Sequence, residues 1–444
     1  MEQPAFYYLC LLLALLLPLL LLLKLLKNHD AAGGGGGVRL PPGPWRLPVI
    51  GSLHHLIGKP LVHRALTDLA RRLDAPLMYL KLGEVPVVVA TVVELLSARR
   101  VQSFRHVRED EVARLVADVA ATPAGEAVNV SRRIAVLIAD SAVRSMIGDR
   151  FTRRDEFLVS LEEGFKLVSG FNLGDLFPSS PFVGFVSGMA RKAQANHRKS
   201  FELMDCAIKQ HEEWRAKKEM EEDLVDVLLR VQKEGALDVP LTMGIIKAVI
   251  LELFSAGSET SATTLQWAMA ELMKHPEVMK KAQAELRGNL NGKPKVTEDD
   301  LAHMKYMKLV IKETLRLHLA APLLLPREAG ESCKILGYDV PKGTTIFVNA
   351  WAIERFECAT IDFKGTDFEY IPFGAGRRIC PGIMFAQSNI ELTLAALLYH
   401  FDWELVDGLK PSELDMAEGT GLTVRKKNDL LLHPIIRVPP QSTQ

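Results

Sequence analysis

Ten residues near the C-terminus constrain this chain more than any other feature: Phe373-Gly374-Ala375-Gly376-Arg377-Arg378-Ile379-Cys380-Pro381-Gly382. Gly374 and Gly376 permit positive φ and close backbone approach. Arg378 offers a fork of donors suited to a carboxylate. Pro381 is favoured at the first position of a helix, so the Cys380 thiol is placed at a helix N-terminus. Free N–H groups and the helix dipole stabilise a thiolate there. Such a thiolate can ligate a soft or borderline metal, haem iron included. A lone Cys in a Gly-rich turn otherwise reads as a buried free thiol. The flanking Phe, Gly, Arg and Pro-Gly favour the ligand.

The remainder of the chain is patterned for a large helical body. At 48% hydrophobic and 24% charged, the 444 residues can bury a sizeable core. Fifty-four basic residues balance 54 acidic ones, which argues against a nucleic-acid protein and its usual basic excess. Five scattered Cys with no C-x-x-C pair exclude a dense disulfide framework and argue against a structural zinc site. Met78 to Leu82 and Val85 to Thr91 read as strands about a Gly83-Glu84 turn. From Val92 to Lys233 the spacing is helical, with a turn-rich break at Asn172 to Pro181. Thr242 to His275 reads as one long helix, with Thr242 as its N-cap and Pro276 bounding its end. A second helix is expected from Thr297 to His318, opened by a capping box in which Asp300 replaces the usual Glu. Short strands follow at Ile335 to Val340 and Thr345 to Val348, then a helix from Pro381 to His400. The expected fold class is mainly α with small β-sheets.

At the other end, Ala5 to Leu23 is an unbroken apolar run of 19 residues. As a helix rising about 1.5 Å per residue it nearly crosses a hydrocarbon core of about 30 Å. The basic n-region and small-residue cleavage site of a secretory signal are missing. Glu2 precedes the run, while Lys24, Lys27 and Arg39 follow it, so the body is expected to face the cytosol. The organisation read from the sequence is a transmembrane anchor at 5–26, a Gly/Pro-rich linker and hinge at 27–51, and one body at 52–444.

Two further constellations carry chemistry. Glu313 and Arg316 stand three apart on a helix, where they can pair. Ala256-Gly257-Ser258-Glu259-Thr260-Ser261 interrupts the long helix with poor helix formers. Its hydroxyls can bond back to carbonyls and bend the helix, making room for water beside an acid.

The segment Phe373 to Gly382 resembles the cysteine-haem loop of cytochromes P450, Phe-x-x-Gly-x-Arg-x-Cys-x-Gly, at every position. The resemblance implies a P450 fold on an N-terminal transmembrane helix. It makes Cys380 the proximal ligand of a haem, with Arg378 on a propionate, Phe373 shielding the thiolate, and Gly376 and Gly382 shaping the loop. Arg327 falls where another propionate-binding residue is often found. Glu313 and Arg316 match the Glu-x-x-Arg pattern, with Arg355 of Glu354-Arg355-Phe356 as third member of a buried structural triad. Glu259 and Thr260 match the acid–alcohol pair that relays protons during oxygen activation. Phe254, Ala256, Ala321, Leu323 and Leu422 fall where substrate pockets are usually lined. The wording of these segments is similar to the plant microsomal A-type group that oxidises terpenoids. The implied activity is insertion of one oxygen atom from O2 into an apolar small molecule at the endoplasmic reticulum membrane. Electrons would come from NADPH–cytochrome P450 reductase.

Two joins depart from the family pattern. The Trp-Arg-x-x-Arg/Lys helix that normally follows the first sheet is missing between Thr91 and Val92, and a segment before Glu-Arg-Phe is missing between Ile353 and Glu354. A propionate clamp and part of the pocket wall go with them. The alternative reading is therefore a truncated, catalytically inactive membrane-anchored isoform.

Overall fold

The computed structural model describes residues 77–82, 85–90, 96–168, 188–217, 222–234, 241–335, 338–353, 368–419 and 423–440. The described elements begin with β1 (Leu77–Leu82), β2 (Val85–Ala90), α1 (Ala98–Ser103), α2 (Arg105–Ala120), β3 (Val128–Asn129) and α3 (Val130–Ile147). They continue with α4 (Arg154–Val168), α5 (Met189–Arg215), α6 (Leu224–Glu234), α7 (Met243–Lys274), α8 (Pro276–Leu290) and α9 (Lys305–Leu317). The C-terminal third holds β4 (Arg327–Glu328), β5 (Cys333–Ile335), β6 (Tyr338–Val340), β7 (Thr345–Ile346), α10 (Ala350–Ile353), α11 (Ile383–His400), β8 (Phe401–Leu405) and β9 (Leu431–Ile436). Mainly helical with small sheets, this is the expected class.

The chain divides into two compact units. The first comprises Met1–Thr91 with Leu228–Thr242. In it β1 and β2 pair antiparallel from Leu77↔Ala90 to Leu82↔Val85, the register expected of the hairpin. The apolar run at 5–23 and the linker lie outside the described residues. Among the described residues no helix is long and apolar enough to cross a membrane.

The second unit, Val92–Val227 with Met243–Gln444, is built on one core shared by α2, α3, α7, α8, α9 and α11. Helix α9 shows why its sequence folds this way. Met307, Ile311, Thr314 and Leu315 recur at helical spacing and are buried, so Glu313 and Arg316 are left on the outer face. Helix α11 is buried along nearly its whole length, from Phe385 to His400. Its polar groups are matched internally: Ser141 Oγ of α3 donates to Asn389 Oδ1 at 2.8 Å, and Asn389 Nδ2 donates to the Phe385 carbonyl at 2.8 Å. Strands β3, β9 and β8 form an antiparallel sheet in that order.

Three expected elements are corrected. The helix expected over Thr297 to His318 is a 3-10 turn, Glu298–His303, followed by α9. The break is Met304, whose backbone leaves the helical region (φ −82, ψ 74) while its side chain is buried. The capping box itself forms, with Asp300 Oδ2 accepting from Thr297 N–H at 2.9 Å. The single strand expected at 335–340 is the hairpin β5–β6, with Ile335 facing Tyr338. Helix α11 starts at Ile383 rather than Pro381, with Gly382 as N-cap.

Helices α2, α3 and α4 are tied by an ion-pair chain. Glu111 accepts from Arg144 at 2.6 Å and also from Arg150. Arg150 and Arg154 in turn reach Asp140 at 2.9 and 2.6 Å. Glu111 and Asp140 are both buried. Removing a buried carboxylate leaves its guanidinium partners uncompensated, which costs about 3–5 kcal/mol for fully buried pairs. Arg144 and Arg150 keep some solvent access, so Glu111→Ala is expected at the low end, about 3 kcal/mol. A shift in the denaturant midpoint reads it, and an unchanged midpoint would show that the network contributes nothing.

Candidate active site

The Cys380 loop is held by its backbone. Gly374 N–H donates to the Ile371 carbonyl at 2.9 Å, Ile379 N–H to Gly376 at 3.2 Å, and Cys380 N–H to Phe373 at 2.9 Å. Gly374 and Gly376 take φ of 69° and 71°, the left-handed region that favours glycine. Phe373 packs against the main core, and Leu324 lies against Gly374. The Cys380 thiol is free and half-buried, and Arg378 is exposed.

Burial pushes the Cys380 thiol up, and a hydrogen bond from Gly382 N–H opposes this only in part. Helix α11 begins at Ile383, three residues beyond the thiol. A coordinating metal deprotonates such a thiol outright. The loop carries a free sulfur and exposed Arg378 and has Leu324 against Gly374; the chain on either side of Leu324 exposes Leu323 and Leu325 and continues to half-buried Arg327 on β4. A soft donor with cations and uncovered apolar surface fits a haem carrying two propionates.

The hydroxyl-rich stretch of α7 behaves as its composition implies. Ser255, Ser258 and Thr260 each donate to the carbonyl four residues back, all at 2.7 Å. A Cβ at Gly257 would touch Phe385 of α11 at 3.7 Å, so Gly257 faces the helix that follows Cys380. At about 100° per residue, Thr260 and Ser261 lie within about 60° of that direction and Glu259 about 160° from it. The acid and the alcohol therefore stand on different faces of α7. Thr260 is on the side toward α11. Glu259 reaches a cavity of about 840 Å³ bounded by α3, α4, α7 and residues 423–429.

In that cavity Thr423 Oγ1 donates to Glu259 Oε1 at 2.5 Å. Glu259 Oε2 is buried and meets no donor among the described residues. Burial pushes the Glu259 carboxyl up, while Thr423 and Arg425 pull it down.

Of the expected pocket residues, Phe254 is buried, lines this cavity and packs on Phe157 at 5.0 Å between ring centroids. Ala256 is exposed on α7, Ala321 half-buried and Leu323 exposed in the turn after α9. Leu422 lies outside the described residues, as does Arg355. Glu313 and Arg316 pair through two bonds of 2.7 and 2.6 Å. Glu313 is 50% exposed, more open than expected of a buried triad, while Arg316 stays half-buried beside the apolar face of α9.

Thr423 is 164 residues from Glu259 and carries no local pattern in the sequence that marks it. A cluster at the start of α6 is likewise unmarked in the sequence. There His211 Nε2 meets Asp223 Oδ2 at 2.8 Å and Asp226 Oδ1 at 3.4 Å. The Arg215 guanidinium bonds Asp226 and lies 3.5 Å from Asp223, so it supplies the positive charge in this group.

A family model described as Cytochrome P450 matches residues 90–433. Desmethyl-deoxy-podophyllotoxin synthase of Sinopodophyllum hexandrum is 44% identical, over 90% of this chain and 92% of its own. Zealexin A1 synthase of Zea mays is 41% identical, over 91% and 94%. Premnaspirodiene oxygenase of Hyoscyamus muticus is 40% identical, over 89% and 92%. The first alignment runs over 469 positions, more than the 444 residues of this chain, so that relative carries internal segments with no counterpart here.

A substitution separates conformation from space in the loop. No heavy atom lies within 4 Å of a Cβ added at Gly376, yet its φ is 71°. Gly376→Ala is expected to cost about 1–2 kcal/mol through backbone strain alone. Gly382 has φ −89° and its Cβ would meet Cys380 Sγ at an ordinary 3.7 Å, so Gly382→Ala is expected to be close to neutral. Thermal unfolding of the two variants side by side checks this; equal losses would contradict it.

Proposed function

The chain belongs to the cytochrome P450 family, and from that premise we propose that it inserts one oxygen atom from O2 into an apolar small molecule of the terpenoid class. The family is one of haem-thiolate monooxygenases, and bound haem supplies the one-electron and O2 chemistry. The observation that carries the reading is the Cys380 loop: a free thiol fixed by the Cys380–Phe373 backbone bond at the head of a buried helix, inside the matched region. The terpenoid class is supported by relatives such as premnaspirodiene oxygenase.

In this reading Cys380 ligates the haem iron, Arg378 and Arg327 pair with propionates, and Phe373 covers the sulfur. Gly376 and Gly382 shape the loop. Glu313, Arg316 and Arg355 brace the haem-side core. Thr260 holds a proton on the side of α7 that faces α11. Glu259 takes protons from the cavity on the other side, and its raised proton affinity suits a group that must both bind and release them. Phe254 bounds the substrate region together with Ala256, Ala321, Leu323 and Leu422. The anchor at 5–26, with its apolar run at 5–23, tethers the body to the endoplasmic reticulum membrane, where NADPH–cytochrome P450 reductase donates electrons.

One observation favours the second reading, an inactive isoform. The aligned length exceeds the chain, and in the sequence Thr91 runs directly into Val92 where the family pattern expects a Trp/Arg helix that clamps a propionate. Losing that propionate clamp weakens haem retention and admits water to the pocket.

The two readings separate in one experiment. The full chain is combined with haem, reductase, NADPH, 18O2 and a panel of terpenoids. Incorporation of one labelled atom into product is the outcome expected of the enzyme. Retained haem with no labelled product on any terpenoid would leave the inactive isoform standing. If product forms, Thr260→Ala is expected to lower product per NADPH consumed by about tenfold or more, since a lost proton donor leaves reducing equivalents to leak. An unchanged ratio would remove Thr260 from the relay.

A further inference from the structure

We propose that Thr423 is the positioning residue for Glu259: its hydroxyl fixes one carboxylate oxygen and leaves the other as the single oxygen through which this side chain exchanges a proton. The inference rests on the reading of Glu259 as the proton-relay acid.

The geometry is specific. The Thr423 hydroxyl donates to Oε1 at 2.5 Å, while Oε2 is buried with no donor among the described residues. Thr423 is itself held in place by its neighbour. Val424 N–H donates to the Ala320 carbonyl at 2.9 Å, and Trp267 Nε1 of α7 donates to the Val424 carbonyl at 2.9 Å. The segment is thus pinned both to α7, two turns beyond Glu259, and to the turn after α9. A hydroxyl also suits the task chemically. It donates to Oε1 when the group is a carboxylate, and to the same oxygen as the carbonyl of the acid when the proton sits on Oε2, so it serves both protonation states.

The charged groups around the cavity do not take over this role. Arg154 of α4 is engaged by Asp140 and Asp155, and Lys166 pairs with Glu162 at 2.9 Å. From the C-terminal segment, Lys426 donates to the Asn428 carbonyl and Asp429 accepts from Asn129. Arg132 of α3 and Lys427 complete the charged lining. Arg425 and Glu162 act on Glu259 through space and in opposite directions. Thr423 alone among them makes a hydrogen bond to the carboxylate.

The test is an infrared pH titration of the full chain, without turnover. The carbonyl band of protonated Glu259 is assigned by its loss in Glu259→Gln. In Thr423→Val the carboxylate loses its one hydrogen bond. The acid is then expected to hold its proton roughly tenfold more tightly, so its band persists to higher pH. Thr423→Ser keeps the hydroxyl and is expected to titrate like the parent chain, which separates the lost bond from a lost fold. A band in Thr423→Val that titrates as in the parent overturns the proposal, and so does a Thr423→Ser variant that matches Thr423→Val. The catalytic reading is tested apart from this. If Glu259→Gln leaves product per NADPH unchanged while the titration shift is seen, the relay assignment fails and the positioning stands.

Discussion

The site depends on the burial of α11. From Phe385 to His400 this helix has almost no solvent contact, and it packs against α2, α7, α8 and α9. Each buried Leu or Ile side chain contributes roughly 1.5–3 kcal/mol, so the helix cannot shift without losing many such contacts at once. Its polar groups remove a second freedom. Asn389 is satisfied by Ser141 and by its own helix, and that pairing fixes rotation about the axis as well as position. The Cys380 loop therefore begins from an immovable end. Two positive-φ glycines and the Cys380–Phe373 bond then set where the sulfur stands.

Helix α7 is the other wall, and its face assignment sorts the chemistry. Gly257 meets α11 closely, and Thr260 and Ser261 share that face. Glu259 looks the opposite way, into the cavity that Thr423 also lines. An acid and an alcohol adjacent in sequence thus serve two sides of one helix. The hydroxyls of Ser258 and Thr260 bond back to carbonyls of their own helix, which supplies the partners those side chains would otherwise take from water.

Much of this was legible in the sequence because local chemistry dictates it. The glycines at 374 and 376 announce the positive φ that the loop adopts, and the Thr297/Asp300 capping box forms as spelled. The class of fold followed from helical spacing. The misreadings have physical causes of a different kind. Met304 breaks a periodic stretch because its side chain enters the core where the helix would have carried it past. Glu313 and Arg316 pair as their spacing requires, yet helical spacing says nothing of which face is covered, and Glu313 is left half exposed. The helix after Cys380 starts at Ile383, later than Pro381 suggests, and burial pushes the thiol up. Long-range partners left no local trace: Thr423 for Glu259, and Arg144 and Arg150 for Glu111.

The account's central claim is that Cys380 is the ligand that holds haem in this chain. The reduced, carbon-monoxide-bound absorption spectrum of the purified full chain tests it most directly. A thiolate-type Soret band in the parent, lost in Cys380→Ala, is the predicted result. A parent spectrum without that band, or a band that survives in Cys380→Ala, would contradict it.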